Sequence, residues 1–390
     1  MSMPKSSDLE NKYASYGNQP QTPNAGYHMF LQYTDADGNY YASEYVDNVI
    51  HSYGPTYADL SMNYLSDDGK IKVTLRHMEM PQTDENRGYY ALTSEVLDTV
   101  TIDNFLEDFS FYTMTGFSNY KKVGYLSSKN EPAVTDTRAD AAKPIALGNE
   151  CPYFSMFYLP GNNAYTNLSF LIYDSSMIIG GKELTDYQFA LMNGNNALRL
   201  TLLIKDKVTL QAGDRMTIYA IIMPWGGGYI PNGAIDADGD GKLDVYHPMD
   251  DTNVQNVRLN TLLNPFKATA KDDCKEVGST FLPRVESTNG KSATFTVTGG
   301  CDIYEDVVDK VNVTVRVDGF TTLARPKIEE LIDGAWVTHN ISTSESPDSA
   351  GHTWDFDGYQ VHYDGDGTYS YSFVVTITDG QSRTFRVTAE

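Results

Sequence analysis

The sequence predicts an all-β protein built as two antiparallel β-sandwiches in series. Three observations carry that expectation. Apolar and polar residues alternate with period two along most of the chain from Tyr27 onward, as in YHMFLQYT and IKVTLRHMEM, the mark of strands with one buried face. Glycine turns (DADG, DDGK, NGK, DGDG) punctuate that pattern at short intervals. Helical spacing shows only in two short stretches, DNFLEDF at 103–109 and TDYQFALMN at 185–193, each expected as a short helix. At 390 residues and 41% hydrophobic, the chain can fill real cores and is long enough for two or three domains.

Residues 1–25 are polar and rich in Ser, Asn, Gln and Pro, and read as a tail or linker. Residues 26–270 read as one large β-sandwich. YHMFLQYT and NYYASEYV form a hairpin across DADG, and SMNYLS and IKVTLRHMEM form a second across DDGK. GYYALTSEVL, DFSFYTMTGF and KKVGYL continue the series. NEPAVTDTRADAAK, at 130–143, is expected as a polar crossing loop. PYFSMFYLP, NLSFLIYDSSMII, ALRLTLLI, KVTLQ and DRMTIYAIIMP then follow as strands.

Residues 283–390 hold seven more strand patterns separated by regularly spaced turns: PRVES, SATFTVTGG, KVNVTVRVDGF, KIEELIDGAWVTHN, GYQVHYD, TYSYSFVVTITDG and SRTFRVTA. On that patterning, and on GDGTYSYSFVV with RTFRV, the segment resembles the immunoglobulin-like or fibronectin-III-like accessory modules of secreted bacterial surface proteins and carbohydrate-active enzymes. The resemblance implies a β-sandwich acting as spacer or binding module. It also implies a core aromatic, for which Trp336 is the candidate, and a corner tyrosine, Tyr369 or Tyr371.

The strongest motif is Asp236-Ala-Asp238-Gly-Asp240-Gly241-Lys242-Leu-Asp244. Carboxylates at alternate positions of a sharply turned loop point at one centre, and Ca²⁺ takes six to eight oxygens in that way. Asp236, Asp238, Asp240 and Asp244 are expected as side-chain ligands and Lys242 as a backbone carbonyl ligand. The position where a helix–loop–helix site has its bidentate Glu is His247, followed by Pro248, and no helix pattern flanks the loop. The expected site is therefore a helix-free, structural Ca²⁺ loop, its remaining ligand drawn from Asp250, Asp251 or water. Asp35-Ala-Asp37-Gly38 and Asp364-Gly-Asp366-Gly367 look similar but are expected as hairpin turns.

Composition narrows the partners. With 52 acids against 29 bases, a net charge of −23, the chain lacks the clustered cations that a nucleic-acid backbone or an anionic membrane needs. No window approaches the roughly 18 apolar residues of a membrane span. The 28 tyrosines stand out, often in pairs: Tyr40-Tyr41, Tyr89-Tyr90, and Tyr153 with Tyr158. Aromatic faces stack on the C–H faces of sugars, while cross-strand packing uses tyrosine equally well. Trp225 and Tyr229, around three glycines just ahead of the Ca²⁺ loop, are the expected ligand-binding aromatics. Cys274 and Cys301 are either bridged or independent thiols, and no CxxC motif occurs.

Catalytic signals are sparse: there is no GxSxG, HExxH or Walker motif. Arg76-His77 and Tyr89-Tyr90, on neighbouring strand patterns, are the one arrangement that suits a lyase, and surface polar residues on an open sheet would give the same pattern. The expected function is calcium-stabilised binding or display, with a glycan or surface protein as partner. A polysaccharide lyase, a glycoside hydrolase, or a structural subunit of a surface layer or virion are the alternatives. The location expected is extracellular or cell-surface, although the opening MSMPKSSDLENKY has no apolar signal segment.

Overall fold

The computed structural model describes residues 28–54, 56–79, 88–115, 120–130, 132–136, 143–149, 152–158, 167–194, 197–225, 267–278, 282–298, 310–339, 359–378 and 381–389. The protein is all-β and forms two compact units. One comprises Met1–Val49, Ser61–His77 and Gly88–Asn256; the other comprises Ile50–Leu60, Met78–Arg87 and Val257–Glu390.

The first unit opens with the expected hairpins. β1 (His28–Thr34) pairs with β2 (Tyr40–Tyr53) across DADG, where Gly38 takes φ 82° and Asp35 accepts the backbone N–H groups of Asp37 and Asn39. The Asn39 side chain, together with its backbone N–H, holds the Asp35 carboxyl below its ordinary range. β3 (Ala58–Ser66) and β4 (Ile71–Glu79) follow across DDGK. Ile71, Val73 and Leu75 of β4 are buried while Lys72 is exposed, as alternation requires. β5 (Gly88–Val96) and β6 (Val100–Ile102) lead into α1 (Phe105–Asp108), a single turn capped by the Asn104 side chain, which buries Phe105 and Leu106. The rest of the unit runs through β7 (Phe109–Thr115), β8 (Tyr120–Leu126), β9 (Pro132–Asp136), β10 (Ile145–Ala146) and β11 (Tyr153–Tyr158). It continues as β12 (Asn167–Ile179), β13 (Lys182–Leu184), β14 (Phe189–Gly194), β15 (Ala197–Leu202), β16 (Val208–Leu210) and β17 (Arg215–Trp225).

One sheet threads nearly all of these, in the order β10-β14-β15-β7-β1-β2-β3-β4-β5-β17-β12-β11-β8-β9, with β13 attached to β12. Its two arms face each other. The Tyr112 ring of β7 stacks on Phe170 of β12 with centroids 5.4 Å apart, although several strands separate β7 from β12 in that order. The sheet thus doubles over into a sandwich whose aromatic core includes Phe105, Phe109, Phe111, Phe154 and Phe170.

Two local expectations fail. The stretch expected as a helix at 185–193 contains β14, paired residue for residue with β15. Phe189, Ala190, Leu191 and Met192 are all buried, so the strand has no polar face and its period is invisible. The loop expected at 130–143 contains β9 on the sheet's last edge. Its first residue is Pro132, whose missing N–H is tolerated at such a position.

The second unit is an immunoglobulin-like β-sandwich of two five-stranded sheets. Its strands are β18 (Lys267–Ala270), β19 (Cys274–Glu276), β20 (Arg284–Ser287), β21 (Ser292–Thr298) and β22 (Lys310–Phe320), then β23 (Lys327–Ile332), β24 (Ala335–Thr338), β25 (Tyr359–Tyr363), β26 (Tyr369–Thr378) and β27 (Ser382–Thr388). The sheets are ordered β18-β21-β27-β23-β24 and β19-β20-β22-β26-β25. Between them lie Phe295, Val297, Val315, Val317, Phe373, Val375, Phe385 and Val387, all fully buried. β18 pairs with β21, so residues the sequence groups with the first domain are hydrogen-bonded into this sandwich.

Of the two candidate corner tyrosines, Tyr371 fills the role. It is fully buried, and its hydroxyl lies 2.8 Å from the Ala324 carbonyl, 3.1 Å from that of Thr322 and 3.1 Å from the Ala324 N–H. Trp336 is not a core aromatic. It sits half-buried on the edge strand β24, with the Arg386 guanidinium 4.3 Å above its ring. Cys274 is a free, buried thiol that donates to the Thr294 carbonyl, so it is not bridged.

Candidate functional site

Most of the site residues expected from sequence fall outside the described residues: Tyr229, Asp236, Asp238, Asp240, Lys242 and Asp244. Trp225 is the last residue of β17, opposite Asn167 of β12. Among the described residues, no group of three or more His, Cys, Asp or Glu is placed to hold a metal ion. Both lesser Asp-Gly motifs are turns. Asp366 accepts the Thr368 N–H, and Asp364 takes part in an ion pair.

The Arg76-His77 and Tyr89-Tyr90 arrangement does not form a reaction site. His77 stacks on Tyr90 with centroids 4.5 Å apart and planes 5° off parallel, and both residues are buried in the inner layer. Tyr89, next in line on β5, necessarily faces the other way. The two pairs are therefore divided by the sheet and cannot converge on one substrate. Nor do His77 and Tyr90 belong to an open surface.

The outer face of the same sheet brings together residues that sequence pairs do not reveal. On β17, Met216, Ile218 and Ala220 fill the core, so Thr217 and Tyr219 project to the opposite side. Register places Tyr219 beside Ala91 of β5 and Asp174 of β12. Tyr89, two residues before Ala91, lies on this face as well. The ladder between β12 and β17 shifts register between Ile172 and Asp174, where Tyr173 is inserted. That bulge turns the Tyr173 ring toward Tyr219, with centroids 6.3 Å apart. Tyr89, Tyr173 and Tyr219 are all half-buried.

The chemistry of this face is amphipathic and close to neutral. Burial, with the Tyr89 and Tyr219 phenols and the Asp174 carboxylate nearby, pushes the Tyr173 phenol up, so it remains a hydroxyl. Thr93 and Thr217 lie side by side with hydroxyls 3.1 Å apart, and exposed Glu95 faces exposed Arg215 at the next step along the ladder. The face presents aromatic rings for stacking and the exposed Asp174 carboxylate, while Thr217 is buried beneath it and bonded to Thr93. Sequence reading found Tyr89 through its doublet but missed Tyr173 and Tyr219. The available signal was an isolated Tyr in each of the strand patterns NLSFLIYDSSMII and MTIYAII. Of the other tyrosines singled out, Tyr153 is buried and Tyr41 packs on the Tyr33 ring at 5.2 Å.

A second concentration of ionisable groups lies in the immunoglobulin-like unit. Arg316 reaches Asp318 at 2.6 Å, Asp364 at 2.8 Å, Ser370 at 3.0 Å and the Tyr57 hydroxyl at 2.9 Å, and Arg284 pairs with the other oxygen of Asp318. Burial alone would pull the Arg316 guanidinium down, but Tyr57, Asp318 and Asp364 outweigh it and hold it up. Around it, Thr56 bonds to Gln360 and Ser372, Thr314 donates to the Thr56 carbonyl, and Gln360 reaches Ser52. A Cβ at Gly54 would run into the Gln360 side chain. These groups fasten Ile50–Leu60 into the unit, and their polar atoms are spent on one another.

No family model matches the sequence, and no curated protein matches it. Among solved structures, the chain is similar to part of a GH36 alpha-galactosidase from Geobacillus stearothermophilus, at 11% identity, covering 55% of this chain and 32% of that one, with a TM-score of 0.33. It is similar to the galactosidase domain of an alpha-galactosidase-sucrose kinase at 12% identity, covering 51% and 30%, with a TM-score of 0.34. The alpha-galactosidase from Lactobacillus brevis aligns at 11% identity over 55% and 31%, with a TM-score of 0.30. The chain spans about a third of the length of each of these enzymes, and no activity is transferred from them. No helix among the described residues is long and apolar enough to cross a membrane.

Proposed function

We propose that the chain is a calcium-stabilised extracellular binding and display protein that holds a glycan on the Tyr89–Tyr173–Tyr219 face of its first unit. The observation that carries this is the clustering of three half-buried tyrosines from three neighbouring strands beside Asp174 and Thr93. A sugar ring presents an apolar C–H face and a rim of hydroxyls. Aromatic rings set among hydrogen-bonding groups match both. Trp225 ends the strand that carries Tyr219, and Tyr229 follows it. Ca²⁺ held by Asp236, Asp238, Asp240 and Asp244 and by the Lys242 carbonyl would rigidify the segment after that strand. The immunoglobulin-like unit serves as a spacer.

A glycan array probed with the full chain, with and without chelator, tests this. Retention of a glycan is expected, and Tyr219→Ala should weaken it by about 5- to 30-fold, corresponding to roughly 1–2 kcal/mol of lost stacking. Failure to retain any glycan, or a Tyr219→Ala variant that binds unchanged, defeats the assignment. A thermal melt with EDTA should fall below one with Ca²⁺, and an unchanged midpoint removes the ion from the proposal.

A further inference from the structure

We infer that Asp333-Gly334 is a site of spontaneous covalent modification, at which the Gly334 nitrogen closes on the Asp333 carboxyl to give a succinimide that water opens to isoaspartate. Asp-Gly steps are the chemically permissive ones, because glycine has no side chain to shield its nitrogen. The described residues hold six of them, at Asp37, Asp68, Asp318, Asp333, Asp364 and Asp366. The fold holds five of the six and leaves one open.

At Asp37 the Gly38 N–H that would attack is donated to the Asp35 carbonyl. Asp68 accepts the Tyr33 hydroxyl and the Lys70 N–H, and the Gly69 N–H is donated to the Ser66 carbonyl. Asp318 lies between Arg284 and Arg316, Asp364 holds Arg316 and Ser370, and Asp366 accepts both the N–H and the hydroxyl of Thr368. At Asp333-Gly334, among the described contacts, neither the carboxyl nor the Gly334 N–H is engaged, and every residue from Leu331 to Ala335 is exposed.

The backbone is set for the step as well. Asp333 and Gly334 form the two-residue turn between β23 and β24, closed by the Ile332↔Ala335 pair. Asp333 takes φ 49° and Gly334 φ 80°, the signs of a type I′ turn, and Asp333 is the one aspartate among the described residues at positive φ. The other primed hairpin turn, type II′, keeps φ near +60° at its first position and moves ψ there to about −120°. Rotating the peptide plane between Asp333 and Gly334 converts one turn into the other while the flanking strand pair stays in place. Gly334 can follow because glycine takes either sign of φ. At that ψ the Gly334 nitrogen eclipses Cβ of an L-residue, which brings it within ring-closing reach of Cγ.

The chemistry needs only solvent. The N–Cγ bond forms while one carboxyl oxygen leaves as water, taking the Gly334 N–H proton and a proton from solvent. Water then opens the five-membered ring. Opening at Cγ restores aspartate, and opening at the backbone carbonyl leaves the chain running through Cγ, as isoaspartate. The product lengthens a two-residue turn by one methylene and so loosens the β23–β24 hairpin, whose ladder runs from Ile332↔Ala335 to Glu329↔Thr338.

Ageing the full chain in H₂¹⁸O, then cutting it after glutamate in ordinary water, tests the inference by mass spectrometry. Asp333 is read alone in the peptide Leu331–Glu345. One heavy oxygen per turnover and an isoaspartate fragment signature are expected there. Conversion should run about fivefold or more ahead of the other five steps, the factor that one net hydrogen bond of about 1 kcal/mol imposes. In denaturant that lead should vanish, because the folded state alone creates it. Asp333→Asn, which keeps a residue tolerant of positive φ and offers ammonia as the leaving group, should convert several-fold faster with its strands intact by circular dichroism. An Asp333 that stays unlabelled in the folded chain, another of the six that converts faster, or an Asp333→Asn chain that keeps its amide overturns the inference.

Discussion

The two units spend their non-core polar groups differently. In the immunoglobulin-like unit, charged side chains are consumed by one another. Arg316 is shared among Asp318, Asp364, Ser370 and Tyr57 with its side chain only 13% exposed, while Glu330 holds Arg383 and His339. On the outer face of the first unit, the Tyr89, Tyr173 and Tyr219 rings are gathered beside Asp174. A closed network fixes geometry and has little left to give a ligand. An array of half-buried phenols, gathered from three strands at a bulge, presents aromatic area for stacking. On the proposed glycan-binding reading, rigidity belongs to one unit and recognition to the other, and that division can be broken by measurement.

The strongest way to break it is Arg316→Met. Removing this cation leaves Asp318 with Arg284 alone and Asp364 with the Ser370 hydroxyl in a poorly solvated place, which should cost about 3 kcal/mol. Urea unfolding should show the loss in the transition of the immunoglobulin-like unit, while glycan binding by the first unit stays unchanged. Neutralising the stranded acids in the same variant, with Asp318→Asn and Asp364→Asn, should recover part of the loss. A cost below 1 kcal/mol would mean that the network is not what holds Ile50–Leu60 in place.

A smaller effect is expected from Tyr371→Phe. The ring stays in the core against Phe320, with centroids 5.0 Å apart, but the hydroxyl that meets Thr322 and Ala324 is gone. Leaving those backbone groups short of a partner should cost about 1–3 kcal/mol, again read in urea. A neutral substitution would show that the corner is set by ring packing alone.

The fold was legible wherever one face of a strand is wet. β4 announces itself because Lys72 interrupts Ile71 and Val73, and the hairpins because Gly38 and Gly69 need positive φ. β14 was not legible, because Phe189 through Met192 are buried on both sides and burial erases the period. Trp336 misled for a related reason. A Trp in a strand pattern looks like core, but its strand proves to be an edge, and only Arg386, on β27 across the intervening β23, shows what covers the ring. The tyrosine face was half legible. Doublets such as Tyr89-Tyr90 catch the eye, yet alternation sends their members to opposite faces. What gathers Tyr89, Tyr173 and Tyr219 is cross-strand register plus a bulge, which exist only after pairing.

The finest test of the comparison is pH. Burial raises the Glu330 carboxyl, but Arg383 and His339 outweigh it and leave it below its ordinary value of 4.5. A carboxyl depressed in the folded state contributes stability that is complete above the unfolded value and lost as pH falls through the folded one. The immunoglobulin-like unit should therefore hold its midpoint above about pH 4.5 and lose stability below it, with Glu329, lowered by Lys327 and Arg386, acting in the same direction. Glu330→Gln should flatten that slope by about 1 kcal/mol or less, since the group is partly screened by solvent. The Tyr173 phenol, raised rather than lowered, has no titration in this window, so Tyr173→Phe should leave the acid limb untouched. An acid limb that survives Glu330→Gln at full slope would show that the carboxylates of this unit are not the groups its pairing protects.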